Sequence, residues 1–250
     1  MKLALFGHGR MAHAFEAHAA AAGHEVGAVL TSRHAADAAR LLAGHDVAID
    51  FSVPGAVLAH VEACAAAEVP LVEGTTGWQA QEAAVRQVVA ERHAAVVYGA
   101  NFSIGVNVFY RIVTRAAELL RGLDAYAPFI EEAHHAMKRD APSGTALVLK
   151  DILLRGSGRG DVPVASTRAG HIPGTHRVGF DSAGDQILLT HTARSRDTFA
   201  AGALLAAHWI AARRGRAGMY AFTDVLDDVL APCQRTWPDV ASGSSRTERE

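Results

Sequence analysis

Residues 132–145, EAHHAMKRDAPSGT, concentrate side chains that could carry chemistry. His134, His135 and Lys138 fall in one predicted loop, and Ser143, Gly144 and Thr145 stand at a predicted helix start. An imidazole passes protons near neutral pH, an effect worth about 10²–10⁴ in rate. The lysine ammonium is a compact cation suited to a carboxylate or to protonating a developing anion. A helix start with hydroxyls and free N–H groups is a carboxylate site. Two other chemistries fit less well. Adjacent histidines on an extended chain point to opposite sides, and neither a cysteine nor a His-Glu-x-x-His pattern lies nearby, so no metal is expected. Ser143 lacks the Gly-x-Ser-x-Gly setting of a nucleophile and reads as a cap and carboxylate ligand. The segment suits proton transfer to a small dicarboxylate. His13, His18, His60 and His208 lie on predicted helices and read as surface or packing residues.

A second constellation, Gly7-His8-Gly9-Arg10-Met11-Ala12, follows the first predicted strand and opens the first helix. There a Gly-x-Gly-x-x-Gly/Ala pattern means dinucleotide binding. The first glycine permits the tight turn, the second admits the pyrophosphate, and the small third residue lets helix and strand pack closely. The second strand ends in Leu30-Thr31-Ser32-Arg33, without the carboxylate that would hold a ribose hydroxyl pair. Arg33, with Arg10, could hold a 2′-phosphate, so NADPH is expected over NADH. Gly74, Thr75 and Thr76 follow the fourth strand, and Gly99, Ala100, Asn101 and Phe102 the fifth. Both loops fall at carboxyl ends of parallel strands, where open sheets bind ligands.

The elements that must position these groups alternate through the first half. Strands at 3–6, 26–30, 47–51, 70–72 and 95–98 are separated by helical patterns at 10–21, 35–42, 56–67 and 79–92. Short apolar strands alternating with helices predict an α/β, Rossmann-like doubly wound parallel sheet. After Asn101 the pattern changes to α+β. It gives a helix at 106–121, a strand at 126–132, and a helix from about Ser143 that stops before Gly156. An antiparallel meander over 162–194 and an amphipathic helix at 199–213 follow. Residues 241–250 are Ser- and charge-rich and read as a disordered tail.

Bulk properties narrow the class further. Half of the 250 residues are hydrophobic and a fifth charged, with a net charge of −2, which argues against a nucleic-acid partner. Cys64 and Cys233 make neither a disulfide framework nor a zinc site. The apolar run at the N-terminus breaks after Phe6, and no stretch approaches a membrane span of roughly 18 residues, so a cytoplasmic protein is expected.

Taken together, these motifs resemble the 4-hydroxy-tetrahydrodipicolinate reductase (dihydrodipicolinate reductase) family of diaminopimelate and lysine biosynthesis. The match is carried by EAHHAMKRDAPSGTAL, GHGRMA, DFSVP at 50–54, GTTG, ANFSIGVN at 100–107, RAGHIPGTH at 168–176 and SRDTFAAGAL at 195–204. The resemblance implies a dinucleotide-binding domain of residues 1–102 with 214–232, and a substrate and oligomerisation domain of 103–213. It leaves a tail at 233–250, disordered by expectation, and places hinges near 99–103 and 213–218. It gives His134 the role of proton donor/acceptor, Lys138 that of proton donor, and His135, Gly144 and Thr145, with Ser143 close by, those of substrate ligands. Gly7 to Ala12, Arg33, Gly74 to Thr76 and Gly99 to Phe102 become nucleotide contacts, and the assembly a homotetramer. Ser32 stands where some relatives carry an acidic residue, which puts NADH use in question. Two other readings share the nucleotide motif: an amino-acid dehydrogenase such as an aspartate dehydrogenase, and a non-catalytic NAD(P)-binding regulator.

Overall fold

The computed structural model describes residues 1–213 and 215–231. In chain order the first elements are β1 (Lys2–Phe6), α1 (Arg10–Ala21), β2 (Glu25–Leu30), α2 (Ala38–Leu42), β3 (Val47–Asp50), α3 (Val57–Ala66), β4 (Leu71–Glu73), α4 (Glu82–Glu91) and β5 (Ala95–Tyr98). Then come α5 (Ile104–Leu119), β6 (Ala127–His134), α6 (Gly144–Ser157), β7 (Val164–Arg168), β8 (Thr175–Asp181) and β9 (Gln186–Thr192). The chain continues through α7 (Asp197–Ala211), β10 (Gly218–Ala221) and α8 (Phe222–Leu230). The expected tail, and Cys233 within it, lie outside the described residues.

Six parallel strands form the first sheet in the order β10-β5-β4-β3-β1-β2. Strand side chains alternate between faces, and both faces are covered, so the strands read as continuous apolar runs. Leu3, Leu5, Val47 and Ile49 pack with Phe15 of α1, with α7 and with α8. Ala4, Phe6 and Ala48 pack on the other face with α2, α3 and α4. The chain leaves β1 to one side for β2 and returns to the other side for β3. The carboxyl ends of β1 and β3 therefore flank the crevice of a doubly wound sheet. The expected architecture is the one that forms.

The second sheet runs β7-β6-β8-β9, with α5 and α6 on one face over Ile130, Val178 and Phe180. Here the expected meander is corrected. β8 and β9 form an antiparallel hairpin, but β7 lies parallel to β6 at the far edge and does not touch β8. The long connection through α6 permits that crossover. α6 also runs through Gly156, which lets the helix approach Ala117 of α5. A Cβ on Gly156 would lie 2.6 Å from the Ala117 Cβ.

Helix α7 differs most from expectation. It was placed with the second domain as an amphipathic helix, yet both its sides are buried. Ala200, Ala203, Leu204, Ala207 and Ile210 join the core of the first sheet. Ala and Gly dominate its sequence, and small side chains let a helix lie close against a neighbour. The chain thus returns to the first sheet before residue 197, well short of the expected boundary at 213.

Candidate active site

β6 supplies the central pair of groups. It was expected to end at Glu132, leaving both histidines in a loop, but it continues to His134. Glu132 and His134, two residues apart on a strand, therefore share one face. His135 follows the strand and is half-buried. Register places Glu132 beside Ser166 of β7 and His176 of β8, and His134 beside Arg168 at the end of β7.

Hydrogen bonds fix this group tightly. Arg168 Nη1 and Nη2 donate to the two Glu132 oxygens at 2.9 and 2.7 Å, a bidentate pair. Burial pushes the Glu132 carboxyl up, but the donors, Arg168 foremost, outweigh it and hold it at about 2. An ionised Glu132 is an acceptor only, so His134 Nδ1 must donate to it. That leaves Nε2 of His134 bare and facing Gly174, where a Cβ would lie 3.2 Å from it. Gly174 has φ +142, so a side chain there would be strained as well as obstructive. Burial lowers the His134 pKa, with Lys138 and Arg168 adding to the effect against Glu132. The imidazole is neutral at neutral pH.

His176 Nε2 meets Ser143 Oγ at 2.9 Å, and its ring lies edge-on to that of His134 with centroids 5.0 Å apart. Burial lowers its pKa to about 4. Glu132, His134 and His176 offer ligand atoms within 4.8 Å of one another. The grouping is already explained without an ion, because Arg168 takes both Glu132 oxygens and Ser143 engages His176.

The N-terminus of α6 closes the site. The Ser143 N–H donates to Glu132 Oε1 at 3.3 Å, which ties the helix start to β6. Ser143 Oγ accepts from Ala146 N and its carbonyl from Leu147 N. The N–H groups of Gly144 and Thr145, first in the helix, have no intrahelical acceptor and suit a carboxylate. Gly144 is exposed and Thr145 half-buried. Lys138 Nζ pairs with Asp140 Oδ1 at 2.9 Å, a contact that an arriving dianion can exchange.

The glycine loop fits a dinucleotide. Gly7 has φ +95, and a Cβ there would lie 2.5 Å from the Phe51 carbonyl oxygen. Only glycine turns this tightly against the end of β3. Gly9 caps α1 without a side-chain bond and has open space where a Cβ would be, so backbone can approach a phosphate. His8 and Arg10 are exposed, Met11 is half-buried, and Ala12 packs in the core. Ser32 and Arg33 are exposed at the end of β2. Of the other expected contacts, Thr76 and Ala100 are exposed, while Gly74, Gly99 and Asn101 are half-buried. Thr75 is buried and engaged by carboxylates, and the Phe102 side chain turns into the core against Phe222. The loop at 99–103 leads into α5, whose Gly105 abuts His191 on β9, the register neighbour of His176.

Glu132, Arg168, Gly174 and His176 were not identified from sequence as site residues. Arg168 sits 36 positions from its partner, and only the parallel β6–β7 pairing brings them together. A cavity of about 750 Å³ opens away from these groups, at the amino ends of the first sheet's strands beside Cys64, His93 and Arg213.

Family models describe two parts of this chain. Residues 1–102 match "Dihydrodipicolinate reductase, N-terminus", and residues 105–226 match "Dihydrodipicolinate reductase, C-terminus". The 4-hydroxy-tetrahydrodipicolinate reductase of Christiangramia forsetii is 38% identical over 196 residues, covering 74% of this chain and 81% of its own. That of Thiobacillus denitrificans is 42% identical over 205 residues, 74% of each chain. Among solved structures, the dipicolinate-bound dihydrodipicolinate reductase of Paenisporosarcina sp. TG-14 shares the fold with a TM-score of 0.73. It is 19% identical and covers 88% of this chain and 97% of its own.

Proposed function

This chain belongs to the dihydrodipicolinate reductase family, and on that premise we propose that His134 and Lys138 manage the proton while the α6 N-terminus holds a substrate carboxylate. The reaction is the pyridine-nucleotide-dependent reduction of 4-hydroxy-tetrahydrodipicolinate to tetrahydrodipicolinate, a step of diaminopimelate and lysine biosynthesis. Bound NAD(P)H supplies the hydride. One further proton converts the departing 4-hydroxyl to water, so atoms and charge balance.

The observation that carries this reading is the chain Arg168–Glu132–His134, which ends in a bare Nε2 beside a helix start with free N–H groups. Neutral His134 is suited to accept and relay a proton through Nε2, and Lys138, whose compact ammonium is a hydrogen-bond donor only, to be its source. Gly144 and Thr145 N–H groups, with His135 alongside, receive a carboxylate, and Ser143 holds the helix start to Glu132 and His176. Preorganised donors of this kind act where charge develops and need no rearrangement during the reaction. A regulator without chemistry has no use for an Arg–Glu–His chain in the same site as a lysine.

The preferred cofactor is NADPH. Arg33 and Arg10 are exposed beside the nucleotide crevice, and no carboxylate stands at the end of β2. The assembly is a cytoplasmic homotetramer built through the outer face of the second sheet. Among the described residues no helix covers that face, and Leu188 is 47% exposed on it. No described helix is long and apolar enough to cross a membrane.

A coupled assay tests the function. Supplied with the product of dihydrodipicolinate synthase, the protein oxidises NADPH, and planar pyridine-2,6-dicarboxylate inhibits it. Absence of turnover with either NADPH or NADH would sink the assignment.

A further inference from the structure

A buried polar cluster beneath the nucleotide loops has no part in the chemistry above. β3 and β4 end side by side, with Asp50 and Glu73 paired in register. Both are buried, at 0% and 1% exposure. Asp50 Oδ1 accepts from Ser52 N at 2.8 Å and Thr75 Oγ1 at 3.1 Å, while Oδ2 meets His60 Nδ1 at 2.6 Å. Glu73 Oε1 accepts from Thr75 N at 2.6 Å, and its Oε2 has no donor. The His60 ring stacks on Phe6, the residue before Gly7, with centroids 3.9 Å apart.

Two adjacent carboxylates in a dry interior cannot both hold charge cheaply. Burial first, and Asp50 next, push the Glu73 carboxyl up to about 10, so it keeps its proton at neutral pH. A protonated carboxyl is a donor as well as an acceptor. The oxygen of Glu73 left without a donor is then the one that donates, and Asp50 is the acceptor beside it. Every other bond of the cluster reaches a loop: Ser52 after β3, Thr75 after β4, and, through the His60–Phe6 stack, the glycine loop after β1.

We propose that Asp50 and Glu73 share one proton and act as a positioning pair that sets the loops after β1, β3 and β4 for the pyridine nucleotide. The proposal rests on the reading of these loops as the cofactor site. Its two halves are tested separately.

Infrared difference spectra of the full-length protein without cofactor, Glu73→Gln against parent, report the proton directly. The carbonyl stretch of a protonated carboxyl is expected in the parent at neutral pH and is lost in the variant. No such band means that Glu73 is ionised and overturns the proposal. Steady-state kinetics then report positioning. Glu73→Leu can neither accept from Thr75 nor donate to Asp50, and should raise KM for NADPH roughly tenfold with kcat held within about twofold. Glu73→Gln can do both, and should bring KM back to within about twofold of the parent. If Glu73→Leu does not fold, Thr75→Val, which deletes the hydroxyl that donates to Asp50 and accepts from Ser52 N, should raise KM in the same sense. An unchanged KM in the variant measured, or a glutamine variant as impaired as the leucine one, rejects the positioning role. Gly9→Asp, which sets a carboxylate where the pyrophosphate would lie, separates the premise. If it leaves NADPH binding intact, the cofactor reading fails while the infrared band stands.

Discussion

At the scale of single residues, the site divides proton chemistry from the groups that orient it. His134→Gln and Lys138→Ala should each lower kcat by about 10²–10⁴ while nucleotide affinity stays near the parent value, because neither lies at the cofactor loops. Separate measurement of kcat and of NADPH Kd checks this, and a normal kcat in either variant removes its assigned role. His176 offers a test of burial. Its folded pKa, about 4, is depressed below the ordinary 6.5, so the unfolded chain takes up the proton first. The stability it confers is present above pH 6.5 and is lost as pH falls towards about 4. The urea midpoint of the parent should therefore drop more steeply across that window than that of His176→Gln, and equal slopes would contradict the assignment. His134 and Lys138 could be proposed from residue chemistry and resemblance because they are close in sequence. Glu132 and Arg168 could not, because what makes them a unit is a strand pairing across 36 residues.

Secondary-structure elements decide which of these groups meet. The first sheet was legible almost strand by strand, since burial on both faces writes itself as apolar runs between helical patterns. The second sheet was less so. A short, largely exposed strand such as β7 carries little pattern, and its parallel partner cannot be told from an antiparallel one locally. α7 misled because a helix buried on both sides has no polar face to reveal what it packs on. Gly202 tests that packing. A Cβ there would stand 1.7 Å from the Phe102 carbonyl oxygen, with Phe222 also in contact. Alanine is the better helix former by about 1 kcal/mol. Overpacking against backbone costs about 1–3 kcal/mol or more, so the clash should win. Gly202→Ala is expected to lower Tm, and a raised Tm would mean that α7 does not lie this close to the loop at 102.

For the whole molecule, the packing of α7 moves a joint. With α7 on the first sheet, the chain passes between the two sheets at 99–103 and again between β9 and α7 near 193–196. The hinge expected near 213–218 would instead fall between α7 and β10, which both belong to the first sheet. The two crossings are held together, for Ser103 Oγ lies 2.9 Å from Thr198 Oγ1. We propose that these two adjacent crossings form an axis about which the second sheet swings, bringing His134 and Lys138 towards the nucleotide and excluding water. A ligand shifts such an equilibrium only by its preference for the closed form. On the proposed site assignment the cofactor touches the loops of one sheet and a dicarboxylate the α6 helix start of the other, so the pair together should close the molecule more than either alone. Small-angle scattering should show the largest fall in radius of gyration with NADPH and pyridine-2,6-dicarboxylate both present. Thr198→Val, which removes the tie between the crossings, should change the amount of ligand needed for closure and leave the fold intact. A radius that stays constant under all four ligand conditions would mean that the two sheets are already locked, and that proton and hydride meet without a swing.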